Sequence, residues 1–213
     1  MRTGGLLWSD RGRRIVDVLT RRARVLTVRQ IAMTWFGANE ARARAVVFEL
    51  ERQALLSRRC VLARPTLILD GPLVQWLPGD ELPDFGAVAY RLRRRWREAV
   101  EPTEIVVATR EARKRFRGFC GERWPRQSEI SHDVSLSEVY LWYRTFRPEE
   151  AERWVPEAQL YTERWGRGER LPDALIRGRD GGIERVVEFG GSYRKQKLQA
   201  FHREMCEIPY EIW

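Results

Sequence analysis

Two short apolar runs separated by a double glycine constrain this chain more than any other feature. Leu171-Pro172-Asp173-Ala174-Leu175-Ile176 and Ile183 to Phe189 are each shorter than a typical globular helix, and Gly181-Gly182 between them has the composition of a hairpin turn. The spacing predicts two neighbouring strands. Asp173 stands on the first and Glu188, in Val186-Val187-Glu188, near the end of the second, fifteen residues later. Two carboxylates at the ends of neighbouring strands can hold one hard divalent cation.

The lysines sharpen that reading. Thirty-six of the 39 basic residues are arginine, and two of the three lysines, Lys195 and Lys197, follow Glu188 closely. An arginine guanidinium stays protonated and cannot orient or activate a water as an ammonium of tunable pKa can. Lysines kept beside an acidic strand end are therefore candidate catalytic groups.

The charge is polarised along the chain. Up to Gly118 there are 24 basic and 13 acidic residues, and beyond it 15 and 17, so the net +9 belongs to the front part. That distribution fits a front part that binds a polyanion, joined to a second part with different chemistry. Cys60, Cys120 and Cys206 are isolated, which argues against structural zinc and a disulfide framework. The start lacks a long apolar core and no run approaches the roughly 20 apolar residues of a membrane span. A cytoplasmic protein with no membrane partner is expected.

In the front part, Ile15, Val18, Leu19 and Ala23 fall at helical spacing between Arg11 and Arg24. Thr27 is placed to cap a short helix carrying Ile31, Ala32 and Trp35, and Phe36-Gly37-Ala38 to turn the chain sharply. Asn39 then caps a third helix to about Gln53, with Ala43, Val46, Val47, Leu50 and Ala54 inward and Glu40, Arg42, Arg44, Glu49 and Arg52 outward. Three short helices with a tight turn between the last two are the helix-turn-helix layout, whose third helix can enter a major groove. Arg42 and Arg44 are the expected base or phosphate contacts. Ser57 to Leu62 and Thr66 to Leu69, around Arg64-Pro65, read as the two strands of a wing, and Arg58, Arg59 and Arg64 as phosphate contacts. A winged-helix domain over 11–83, with double-stranded DNA as its partner, is the expectation; dimerisation or protein docking is the alternative use of such a domain.

Residues 72–83, rich in Pro, Gly and acids, read as a connector. A basic helix from Ala87 to Val100, with Val88, Leu92, Trp96 and Val100 as its apolar stripe, a strand at Ile105–Ala108 and a basic cluster at Arg113, Lys114, Arg115 and Arg117 complete a linking segment over 84–118.

Over 119–213, Gly118 to Ser131 reads as turns, Ser135 or Ser137 as the cap of a helix through Phe146, and Pro148 to Glu152 as a helical turn. Glu157 to Glu163 reads as a strand. After the hairpin come a helix from Tyr193 to Cys206, with Leu198, Phe201 and Met205 as its apolar face, and a last strand to Trp213. His132, beside Asp133, reads as a capping or packing residue or else a general base, and His202 as half-buried. The nine tryptophans, Trp142, Trp154, Trp165 and Trp213 among them, read as packing residues, with base stacking as the other use.

Helix, hairpin, helix and strand, with acids at strand ends, is the order of the PD-(D/E)XK nuclease core. Through Trp154 with Glu157, Leu171-Pro172-Asp173-Ala174, Val187-Glu188-Phe189-Gly190-Gly191, and Lys197-Leu198 with Phe201, the chain resembles the replication-relaxation proteins of bacterial plasmids and related elements. The resemblance spans nearly the whole chain. It implies an α+β protein with an N-terminal winged helix-turn-helix followed by a restriction-endonuclease-like α/β core, and Glu157, Asp173 and Glu188 as the acids of its site. One departure stands out: a Glu-x-Lys motif would put lysine where this chain has Gly190. Lys195 or Lys197 would then reach back from the next helix, where one turn advances about 5.4 Å.

In an active site of this kind Asp173, Glu188 and the Phe189 carbonyl would bind Mg2+, and a lysine would stabilise the charge developing on the phosphate. In a degenerate one, Asp173 caps a turn and Glu188 pairs with Arg185 or Arg194. The expected function is DNA binding in plasmid, phage or mobile-element biology on a degenerate nuclease-like domain. A metal-dependent DNA endonuclease and a subunit docking a protein partner of the same element are the alternatives.

Overall fold

The computed structural model describes residues 9–121, 123–164 and 170–213. The fold is mixed α+β. In chain order its elements are α1 (Asp10–Arg21), β1 (Leu26–Thr27), α2 (Val28–Trp35), α3 (Glu40–Arg52), β2 (Leu56–Ala63), β3 (Val74–Trp76), α4 (Phe85–Arg95), β4 (Glu101–Ala108), α5 (Arg110–Phe116), α6 (Gln127–Phe146), α7 (Pro148–Glu152), β5 (Trp154–Pro156), α8 (Glu157–Glu163), β6 (Ala174–Arg177), β7 (Ile183–Glu188), α9 (Lys195–Met205) and β8 (Tyr210–Ile212). They form two compact units, Met1–Cys60 with Glu104–Trp124 and Val61–Thr103 with Pro125–Trp213. Among the described residues, no helix is long and apolar enough to cross a membrane.

The first unit is built by local signals. Ser9 caps α1 by accepting from the Gly12 N–H at 3.1 Å. Thr27 and Gln30 close a capping box on α2, each side chain bonded to the other's backbone N–H. Asn39 accepts from the Arg42 N–H to start α3. Between α2 and α3, Gly37 and Ala38 both take positive φ, 56° and 66°, which makes the sharp turn expected there. Ile15, Leu19, Ile31, Ala43, Val47 and Leu50 are buried, and each large aliphatic among them contributes about 1.5–3 kcal/mol relative to exposure. Ala54, expected inward, is instead exposed, in a left-handed turn with φ 56° that ends α3.

The sheet of this unit departs from expectation. Its strand order is β1-β4-β2, with Leu26 of β1 antiparallel to Val106 of β4. Thr66 to Leu69 form no strand, and the neighbour of β2 is β4, beyond a long excursion of the chain. The expected linking segment is accordingly divided: β4 from Glu104 on and α5 belong to the first unit, and α4 to the second. Thr109 fastens the end of β4 by donating its N–H to Leu55 and its hydroxyl to Ala54.

The second unit is a five-stranded sheet in the order β3-β8-β7-β6-β5. β5, β6 and β7 form an antiparallel meander, α9 crosses over, and β8 returns parallel to β7. The expected connector supplies β3, antiparallel to β8. Alternation along β8 assigns the two faces. Tyr210 and Ile212 join Val74, Phe85, Val88, Leu92, Leu198 and Phe201 in one core cluster. Glu211 and Trp213 face the other way, toward Tyr143 of α6, whose hydroxyl donates to Glu211 at 2.6 Å.

Three local expectations fail here. α6 begins at Gln127, so Ser135 and Ser137 lie inside the helix, and Ser137 bonds back to the Asp133 carbonyl rather than capping an end. Glu157–Glu163 is helix, the strand being the three residues before it. α4 stops at Arg95, leaving Val100 exposed. Trp154 and Trp213 are fully buried, as expected for packing residues, and Trp165 lies outside the described residues.

Candidate functional site

The hairpin register brings the two carboxylates together. Ala174 pairs with Val187, so the positions just outside that pair, Asp173 and Glu188, lie beside one another. Asp173 does not cap a turn; its Oδ2 accepts the Phe189 N–H at 2.7 Å and a hydrogen bond from His132 Nε2 at 3.2 Å. Glu188 is 2 % exposed. Its Oε1 accepts from the Tyr193 hydroxyl at 2.7 Å and pairs with Arg170, whose Nη2 also reaches the Tyr193 hydroxyl at 3.0 Å. The expected pairings do not form: Arg185 pairs with Glu150 and Glu211, and Arg194 is exposed just before α9.

Glu188 Oε2 is buried and has no hydrogen-bond partner among the described residues. Burial and the neighbouring Asp173 charge push the Glu188 carboxyl up to about 7, against the opposing pull of Arg170, Tyr193 and His132. His132 shows the reverse balance. Burial works to lower its pKa, but hydrogen bonds to Asp133 and Asp173 outweigh it and hold the imidazole up to about 10, so it is a cation at neutral pH.

Lys197 extends from the first turn of α9 with Nζ 3.4 Å from the centroid of the Tyr193 ring, a cation–π contact one group away from Glu188. Partial burial of the ammonium and the nearby Arg170 lower its pKa, while Glu188 and Asp173 act to raise it. Lys195 is exposed at the start of the same helix. Glu157 is exposed at the start of α8, and its backbone N–H donates to the Asp173 carbonyl at 3.0 Å. Of the expected site residues the structure thus brings Asp173, Glu188 and Lys197 together and leaves Glu157 and Lys195 exposed, and it adds His132, Arg170 and Tyr193.

Gly190 is closed to a lysine for a steric reason. A Cβ there would lie 2.6 Å from both δ-carbons of Leu92, a fully buried residue of α4. Among the described residues no three His, Cys, Asp or Glu side chains gather as a metal ligand set. The donors that fit a hard cation are the Asp173 and Glu188 carboxylates with the Phe189 carbonyl, and the buried, unpartnered Glu188 Oε2 is the oxygen such an ion would satisfy.

In the first unit the expected DNA contacts divide into two kinds. Arg44 and Arg58 both bond Glu104 of β4, at 3.0 and 2.6 Å, with Glu40 and Glu51 closing the network. Hydrogen bonding to Glu104 is the largest cause raising both guanidinium pKa values. Arg42 is exposed on the first turn of α3, and Arg59 is exposed on β2 with its guanidinium 4.4 Å from the Trp124 ring centroid. Arg64 belongs to the second unit, where its guanidinium bonds the Glu98 carbonyl and lies 5.4 Å from the Trp96 ring centroid. No family model matches this chain, and searches of curated proteins and of solved structures gave no match.

Proposed function

We propose that this chain is a DNA-binding protein of plasmid, phage or mobile-element biology, in which a winged helix grips duplex DNA and a nuclease-like unit carries the carboxylate pair. The observation that carries the reading is charge. The first unit has 19 basic and 8 acidic residues, a net +11, whereas the second has 20 and 22. Such a concentration supplies the counterion-release term that dominates affinity for a polyphosphate. The order α1, β1, α2, α3, β2, β4, with β4 central in the sheet, supports the winged-helix reading. The helix–meander–helix–strand order of the second unit supports the nuclease-like one. Arg42 and Arg59 are the leading phosphate contacts.

A gel-shift titration of short duplex DNA against salt tests this reading. Arg42→Ala with Arg59→Ala should weaken binding at all sequences and reduce the slope of log K against log salt by about 0.9 for each phosphate that the variant no longer neutralises. Salt-independent binding, or a slope unchanged in the double variant, refutes it.

A second reading, metal-dependent endonuclease, is favoured by the unpartnered Glu188 Oε2 and by Lys197 on the Tyr193 ring. Asp173, Glu188 and the Phe189 carbonyl would hold Mg2+, which when bound acidifies a water. His132 and the Phe189 N–H fix the Asp173 carboxylate, Tyr193 and Arg170 fix Glu188, and Lys197 supplies positive charge for the phosphate. Against this, Arg170 and His132 already neutralise both carboxylates, which weakens the pull on a cation. Supercoiled plasmid incubated with Mg2+ or Mn2+ decides between the two readings. Nicking that Asp173→Ala abolishes establishes the endonuclease, and intact plasmid with both proteins leaves DNA binding alone.

A further inference from the structure

We infer that Arg95, supported by Arg91, forms a binding site for a phosphate group against the ring of Phe189, the residue that follows Glu188. This deepens the nuclease-like reading of the second unit, on which the choice of phosphate as ligand rests.

Arg95 ends α4, three residues after the buried Leu92, and that spacing turns it toward the core side of the helix. Its Cζ lies 5.2 Å from the centroid of the Phe189 ring. Nε and Nη2 are buried, and among the described residues neither has a hydrogen-bond partner. An aromatic face attracts the charge of a guanidinium but leaves its in-plane N–H donors unmatched. Among the described residues, the one charge with a marked effect on Arg95 is a second cation, Arg91, one helical turn back. Unpaired buried charge is strongly unfavourable, so an anion from outside the chain is the missing partner.

Two features select phosphate as that anion. The planar fork of arginine binds tetrahedral oxyanions through paired N–H groups, and cations side by side suit a ligand of more than one acceptor oxygen. Arg64 lies over Trp96, whose ring is 5.6 Å from that of Phe189, a further cation in the same aromatic cluster. Phe189 itself directly follows Glu188 and gives its N–H to Asp173, which joins the Arg95 site to the strand end that bears the carboxylates.

Titration calorimetry of the full chain with inorganic phosphate at fixed ionic strength tests the site. The parent and Arg93→Met, which alters an exposed arginine of the same helix, should bind saturably. Arg95→Met should bind roughly tenfold more weakly or worse, the loss of one charge-assisted hydrogen bond. No saturable binding by the parent, or equal affinity in Arg95→Met, overturns the proposal. Should Arg95→Met fail to fold, Arg91→Met replaces it, and an unchanged affinity there is equally fatal. Competition by thymidine monophosphate and by the thymidine dinucleotide identifies the source. Binding of the dinucleotide assigns the site to a strand, binding of the monophosphate alone assigns it to a free nucleotide, and competition by neither overturns it. A gel shift without phosphate binding would leave the DNA-binding reading intact and remove this one.

Discussion

Gly190→Ala puts the relation between α4 and the carboxylate strand to the test. The added Cβ would stand 2.6 Å from both Leu92 δ-carbons and 3.2 Å from its Cγ, well inside contact distance. Leu92 is fully buried and packed in the cluster that holds Val88, Ala89 and Phe201, so its methyls have no vacant space to enter. Gly190 does not take a positive φ, so the backbone tolerates alanine and the cost is overpacking alone, about 1–3 kcal/mol. Leu92→Ala by itself should cost about 2–5 kcal/mol through the cavity it leaves. In the double variant the new methyl group enters that cavity, and the combined cost should fall short of the sum by about 1–3 kcal/mol. Urea unfolding followed by tryptophan emission reads the cycle, because six of the nine tryptophans belong to the second unit. In a chain of this length each kcal/mol also moves the melting temperature by about 2–4 °C. If Gly190→Ala unfolds at the parent's urea concentration, or if the two costs simply add, Leu92 is not what bars a side chain from this position.

Glu188 and Glu104 give further tests. Because burial raises the Glu188 pKa, the folded state favours the protonated form: its contribution is complete below the ordinary value of 4.5 and is lost as pH rises through about 7. The parent should lose about 3 kcal/mol across that window, and Glu188→Gln should flatten the loss, as melting curves at pH 5 and pH 8 would reveal; a parent that grows more stable over the same interval contradicts the assignment. Glu104→Gln should release Arg44 and Arg58, tightening duplex binding and steepening its salt dependence, with less than about 1 kcal/mol of stability lost from a network this exposed. Unchanged affinity in Glu104→Gln would exclude both arginines from the DNA contact.

What the sequence revealed depended on distance along the chain. α1, α2 and α3 were legible because a cap and an apolar stripe lie within one short segment, as with Thr27 and Gln30. The hairpin was legible too, and with it the meeting of Asp173 and Glu188, since a short turn sets the register of both strands. Choosing β4 as the neighbour of β2 is non-local, and Thr66 to Leu69 had the right residue types in the nearer place. His132 and Arg170 reach the carboxylates across 41 and 18 residues, for which sequence spacing offers no rule. The adjacent His132-Asp133 was the available hint.

Arg95 did leave a signal, which reading α4 at intervals of four alone passes over. Val88, Leu92 and Trp96 define an i, i+4 row, but a helix also joins i and i+3, and Arg95 is three residues beyond Leu92. One helix then accounts for two departures at the site. Leu92 fills the space a lysine at position 190 would need, while Arg95, one turn further, brings a cation against Phe189. With the strand position closed, positive charge reaches the carboxylates from other elements: directly from Arg170 ahead of β6 and His132 of α6, and from Lys197 of α9 across the Tyr193 ring. A Glu-x-Lys pattern sought along the strand therefore does not describe this carboxylate pair, because Leu92 of α4 fills the space at position 190 and the cations around the pair stand on other elements.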